Sequence, residues 1–203
     1  AVALEPYADY LIASEENEPA TGWDYSGWLS ALSRGPSMSA LELGRRILDD
    51  YAEACRREAP GEPATLSLVD LAEFGAVIPP VLSAFSASAQ ALIDTGSYRT
   101  LSDARAGSRE FAPASRLDQV DLVDLADRLG TPEARVLAEA VRGCVKYNRS
   151  NLTDAYGLSV YFPYRDLSKM KSMAATYDGI GMDRDYAGCI RSFAGLAAGG
   201  RIV

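Results

Sequence analysis

The stretch Tyr7-Ala8-Asp9-Tyr10-Leu11-Ile12-Ala13-Ser14-Glu15-Glu16 passes from aromatic and aliphatic residues to two carboxylates. Tyr7 to Ser14 reads as a short buried strand, and the charged pair marks where it empties into a loop. Asn17 to Gly22 continues that loop with Pro19 and Gly22. Trp23 to Leu32 has helical spacing. Ser39 and Glu42 then form a capping-box pattern, and Leu41, Gly44, Leu48, Tyr51 and Cys55 fall on one face of a helix that Pro60-Gly61 stops.

Further out, Thr65 to Val69 is a second strand, with Asp70 placed to cap the helix that follows. That helix is expected to kink or break at Pro79-Pro80 and to resume towards Ile93. Residues 94–118 are rich in Gly, Ser and Arg and read as an irregular connection. Asp121 to Leu129 is helical by spacing, and Thr131-Pro132-Glu133 starts another helix, expected to end near Cys144. Val145 to Ser150 and Gly157 to Tyr164 are rich in β-formers, and they are expected to pair as a hairpin across Asn151 to Tyr156. Helical spacing returns over Leu167 to Tyr177 and Arg184 to Leu196. Strands alternating with longer helices predict an α/β layered architecture. It divides into a core over 1–93, the connection over 94–118 and a helical section with the hairpin over 119–203.

Composition excludes several functions. With 28 acidic and 20 basic residues the net charge is −8, which disfavours nucleic acid or an anionic membrane as a partner. An apolar fraction of 48% suits an ordinary soluble globular protein. No run of consecutive apolar residues reaches membrane-spanning length. There is no histidine, so no Ser–His, Cys–His or His–metal arrangement is available within the chain. Cys55, Cys144 and Cys189 lack zinc spacing and lie on apolar helix positions, where a free thiol packs as a small hydrophobe. The opening Ala1-Val2-Ala3-Leu4-Glu5-Pro6 has no Met and reads as the tail of a helix, so a processed or truncated product is expected.

Three stretches together resemble the clostripain family of cysteine peptidases. They are Tyr7 to Glu16 followed by Gly22-Trp23-Asp24-Tyr25, then Thr65 to Leu71, then Gly157-Leu158-Ser159-Val160-Tyr161-Phe162-Pro163-Tyr164. The acidic-aliphatic run Val120-Asp121-Leu122-Val123-Asp124-Leu125 adds support. The resemblance implies a caspase-like fold, with a mostly parallel sheet between helix layers, in a bacterial protein; a soluble chain is expected, and its compartment is left open, with secreted and periplasmic among the candidates. It also implies a Cys–His dyad and cleavage of peptide or protein substrates after basic residues, chiefly Arg. In that family the dyad precedes the strand that opens this chain, so neither catalytic member falls on a residue here. The expected partner is therefore an N-terminal portion of the same protein. Calcium enters only through the resemblance, and no other cofactor is expected. The alternative is a non-catalytic structural or partner-binding module.

Ser14, Glu15 and Glu16 sit where ligands gather, beyond the carboxyl end of a strand. Through the resemblance they are candidates to face substrate and to meet a basic side chain with charge-assisted hydrogen bonds. An ordinary solvated loop is the plainer reading. Trp23 is a candidate wall for the same pocket, or else packs the loop against the core. Asp118, Asp121, Asp124 and Asp127 recur every three residues without the glycine turn of a calcium loop, so a solvated helix face is expected.

Overall fold

A computed structural model of the protein describes residues 1–164 and 167–199. Residues 200–203 of the expected C-terminal section lie outside the described residues. In chain order the elements are β1 (Tyr10–Ala13), α1 (Tyr25–Arg34), α2 (Ala40–Glu58), β2 (Thr65–Asp70) and α3 (Leu71–Asp94). They continue with α4 (Tyr98–Gly107), β3 (Glu110–Phe111), β4 (Gln119–Asp121), α5 (Leu122–Leu129) and α6 (Pro132–Cys144). The last are β5 (Val145–Ser150), β6 (Ser159–Tyr161), α7 (Met170–Gly179) and α8 (Arg184–Ala198). Residues 2–4 form a turn that leads into a 3-10 turn at Glu5–Tyr7.

The protein is a mixed α/β structure with two small sheets. One runs in the order β1-β2-β5 and the other β3-β4-β6. Among the described residues every strand pairing is antiparallel. The mostly parallel sheet expected from the family resemblance therefore does not appear among them. Tyr10 lies opposite Asp70 and Ala13 opposite Ser67, while Thr65 on the other edge of β2 faces Ser150. The expected hairpin is also corrected. Val145–Ser150 joins β2, whereas Ser159–Tyr161 joins β4, so the two segments serve different sheets. β-formers announce a strand, but its partner is chosen by burial of side chains far away in sequence.

β2 is central to the first sheet and buried on both faces. Leu66 and Leu68 pack with Ile47, Leu48, Tyr51 and Cys55 of α2. The approach is close: a Cβ on Gly44 would lie 2.7 Å from Leu68 Cδ2, so any side chain there would displace the leucine from its packing on α2. Val69 belongs instead to the larger core, with Phe74, Ile78, Leu82 and Phe85 of α3, Leu125 of α5, Leu137 of α6 and Phe193 of α8.

Helix α3 runs unbroken from Leu71 to Asp94 through Pro79 and Pro80. Both prolines lie on the exposed side, where water can satisfy the carbonyls that lose their helical donors. At 24 residues and a mean hydropathy of 1.5 it is long and apolar enough, by length and composition alone, to cross a membrane. Glu73, Ser83, Ser86, Ser88 and Gln90 interrupt its apolar positions, so no continuous apolar run of that length stands in the sequence. Within the fold α3 packs against α6 and α8. Residues 94–118, read as irregular, contain α4, whose Leu101, Ala104 and Arg105 are buried.

Candidate functional site

At the end of β1 the chain turns through Ser14, Glu15 and Glu16, and one side chain of β2 holds that turn. The Thr65 hydroxyl, 1% exposed, accepts from the amides of Glu15 at 3.0 Å and Glu16 at 3.1 Å. It also lies 2.9 Å from the Ser14 hydroxyl, which in turn donates to the Glu16 carbonyl at 2.7 Å. Thr65 begins β2 and faces this turn because its neighbours Leu66 and Leu68 are fixed against α2. Sequence reasoning did not single it out.

The two carboxylates go to different places. Glu16 is half-buried, and both its oxygens accept from the Ala112 amide at 3.0 Å, with Asn17 N adding a third contact at 2.8 Å. Ala112 follows β3 and adopts a left-handed conformation at φ 45°, an uncommon one for a residue with a side chain. Glu15 turns inward, is 8% exposed and accepts from Gly157 N at 2.9 Å. Burial, then the neighbouring Asp121 carboxylate, pushes the Glu15 carboxyl up to about 9. Trp23 packs partly against the α2 cluster and donates its indole N–H to Glu18 at 2.9 Å. Thus Ser14, Glu15 and Glu16 form one hydrogen-bonded turn, and Trp23 flanks the loop that leaves it.

Gly157 also fixes the geometry beneath the turn. Its φ is +107°, and its carbonyl accepts from the Ser67 hydroxyl at 2.7 Å. Two strand-to-helix corners are built alike: Asp70 ends β2 and caps α3, and Asp121 ends β4 and caps α5.

The aspartate stripe is a solvated face only at Asp127, which is exposed on α5 and pairs with Arg142. Asp118 and Asp121 are fully buried and Asp124 is 6% exposed. Asp118 pairs with the buried Arg105, Asp121 accepts from the amides of Asp124 and Tyr156, and Asp124 binds Arg109 N and Arg128. Their three-residue spacing is not one helix surface at all, because Asp118 and Asp121 precede α5.

Cys55, Cys144 and Cys189 are free and buried, as their apolar positions suggested. Burial pushes the Cys144 thiol up to about 11 and that of Cys189 up to about 12, the reverse of what a nucleophile requires. Among the described residues no group of three potential metal ligands forms. A cleft of about 890 Å³ opens between residues 1–4, α3 and the α7–α8 connection, lined by apolar groups such as Ile78, Leu82 and Met182. It does not include Ser14, Glu15 or Glu16.

The model of the clostripain family, Peptidase C11, matches residues 1–131, which carry both the β1 turn and the Asp121 corner. The chain belongs to the clostripain family. A solved structure described as a B. fragilis cysteine protease superposes with a TM-score of 0.58 at 16% identity, over 97% of this chain and 83% of that one. At that identity the likeness is one of fold. No curated protein matches the chain. The chain brings a hydrogen-bonded, carboxylate-bearing strand end, and its sequence contains no histidine.

Proposed function

We propose that this clostripain-family chain forms part of a cysteine endopeptidase that cleaves peptide bonds after basic residues, chiefly arginine. The observation that carries the reading is the β1 turn, where Thr65 locks Ser14, Glu15 and Glu16 beyond a strand end. Glu16 has the charge for a guanidinium. An ionised carboxylate offers about four acceptor positions, and Ala112 and Asn17 leave Glu16 room for one more donor. Ser14 and Glu15 hold Glu16 in place, and Trp23 supplies an aromatic wall on the loop that leaves the turn.

The thiolate and its imidazole belong to a portion of the natural protein outside these residues. This chain has no histidine, and its own thiols are buried. In a Cys–His peptidase the imidazole takes the thiol proton, the thiolate attacks the peptide carbonyl, and the imidazolium then protonates the departing amine. The chain's part in that scheme is to align the substrate side chain so that the scissile carbonyl meets the thiolate. Among the described residues β1 has one neighbour in its sheet, so its other edge is suited to extend a wider caspase-like sheet with that catalytic portion.

The test is hydrolysis of fluorogenic peptides ending in Arg, Lys, Leu or Asp by the natural protein, with mapping of the cysteine that an alkylating peptide labels. We expect cleavage after Arg and a labelled cysteine other than Cys55, Cys144 and Cys189. Cleavage with no basic preference would remove the role given to Glu16. No cleavage and no labelling would leave the non-catalytic binding module as the function.

A further inference from the structure

Glu15 and Asp121 meet in the interior between the two sheets. Asp121 accepts from Tyr156 N at 2.6 Å, and Glu15 accepts from the very next amide, Gly157 N, at 2.9 Å. Adjacent amides thus bring two carboxyl groups together from opposite sides: one from the end of β1, the other from the β4–α5 corner. The remaining oxygen of Glu15, Oε1, is buried and has no hydrogen-bond donor. Left as an anion, Glu15 would face a second carboxylate with only the Gly157 amide to offset the repulsion.

The charged groups around the pair offer no relief. Glu16 is engaged with Ala112 and Asn17. On α5, Asp124 is bound by Arg128 and by the Arg109 amide, and Arg128 also reaches Asp154. The Arg109 side chain is bonded to Thr153, and Arg142 lies over the Tyr156 ring and pairs with Asp127 and Glu139. Among the described residues no Lys or Arg pairs with either Glu15 or Asp121.

We propose that Glu15 is a neutral carboxylic acid in the folded protein and donates its proton through Oε1 to Asp121, so that one hydrogen bond clasps the two sheets together. The proton belongs on Glu15 for a structural reason. Burial raises the Asp121 carboxyl as well, but Asp121 caps α5, accepts from the amides of Asp124 and Tyr156, and sits at the positive end of that helix, each of which favours its charge. Glu15 has a single amide donor. The clasp accounts for the otherwise orphaned oxygen and goes beyond any peptidase activity, on which it does not depend.

The consequence is a pH-dependent joint in a chain without histidine. A carboxyl held at about 9 when folded and near 4.5 when unfolded favours folding fully below pH 4.5, and that advantage is lost as pH rises through about 9. Ionisation releases the proton to water and leaves two carboxylates face to face.

Glu15→Gln tests this directly, since the amide can donate permanently to Asp121 and still accept from Gly157. Urea unfolding of the natural protein and of E15Q is followed from pH 5 to pH 9.5. The two should unfold together near pH 5. Relative to E15Q, the parent's folded-to-unfolded ratio should then fall by up to about tenfold per pH unit. Parallel curves separated by a constant offset would overturn the proposal. Should E15Q fail to fold, carboxyl carbon NMR of the parent decides: a Glu15 signal that titrates near the ordinary glutamate range overturns it, and one that stays protonated past pH 7 supports it.

Discussion

Arg105 of α4 and Asp118, just before β4, form an ion pair at 3.3 Å with neither side chain open to solvent. The same guanidinium donates to the Phe162 carbonyl at 2.9 Å and to Glu110 at 3.2 Å, and it stacks over the Tyr164 ring at 5.2 Å. Asp118 adopts a left-handed conformation at φ 52°, accepts from Tyr164 N through its side chain and accepts from Phe162 N through its carbonyl. One buried cation therefore gathers α4, β3, β4 and the segment after β6. Replacing Asp118 by Ala leaves that cation short of its counter-charge and should cost about 3–5 kcal/mol in urea unfolding. A loss below about 1 kcal/mol would mean that water reaches the pair.

Thr65→Val keeps the shape of the side chain and removes the acceptor shared by the Glu15 and Glu16 amides. Each stranded buried donor costs about 1–3 kcal/mol, so the variant should lose about 2–4 kcal/mol overall. Amide exchange at Glu15 and Glu16 should rise, while Thr65→Ser should restore most of the protection. Unchanged exchange at those two amides would show that something other than Thr65 holds the turn.

Gly157→Ala combines two penalties. Its φ of +107° disfavours any side chain, and the new Cβ would lie 2.8 Å from Ser67 Cβ and 3.0 Å from Val145 Cγ1. Strained backbone costs about 1–3 kcal/mol, and overpacking adds about as much again. Thermal unfolding should show a clear loss. A variant as stable as the parent would mean that this loop relaxes freely.

The thiols give a chemical test. With Cys144 at about 11 and Cys189 at about 12, the thiolate forms that react are scarce at pH 8. Iodoacetamide should label both in urea but leave them largely untouched in the folded protein, with rates at least about a hundredfold apart. Rapid labelling of either under native conditions would argue that α6 or α8 opens readily.

Much of this fold is legible where a single residue and its near neighbours decide the outcome. The Ser39–Glu42 capping box closes as its spacing implies, with Ser39 N donating to Glu42 at 2.8 Å and Glu42 N to Ser39 at 3.2 Å. Asp70 and Thr131 cap the helices they were expected to cap, and the cysteines are buried. What sequence could not disclose depends on partners far along the chain. The burial of Asp118 is decided by Arg105, that of Asp121 by an amide at Tyr156, and the pairing of β5 by β2 rather than by nearby β6. Helix α4 escaped notice because its Ser, Arg and Gly content suggests a loop, whereas Leu101 and Ala104 anchor it in the core. Ser14, Glu15 and Glu16 are neighbours in sequence. Their division of labour, one carboxyl inward and one towards the Ala112 amide, comes only from tertiary contacts.

The corners at Asp70 and Asp121 leave no slack between strand and helix. Each aspartate is both the last residue of its strand and the cap of the helix that begins at the next position. A strand that slips by one residue exchanges its two faces, and a helix advanced by one residue rotates by about 100°. At these corners either error enforces the other, so a misaligned β2 would also swing Phe74, Ile78 and Phe85 out of the core. Sheet alignment and helix orientation are thus proofread together. A one-residue insertion after Asp70 should be far more damaging than one in the loop between Asn17 and Gly22.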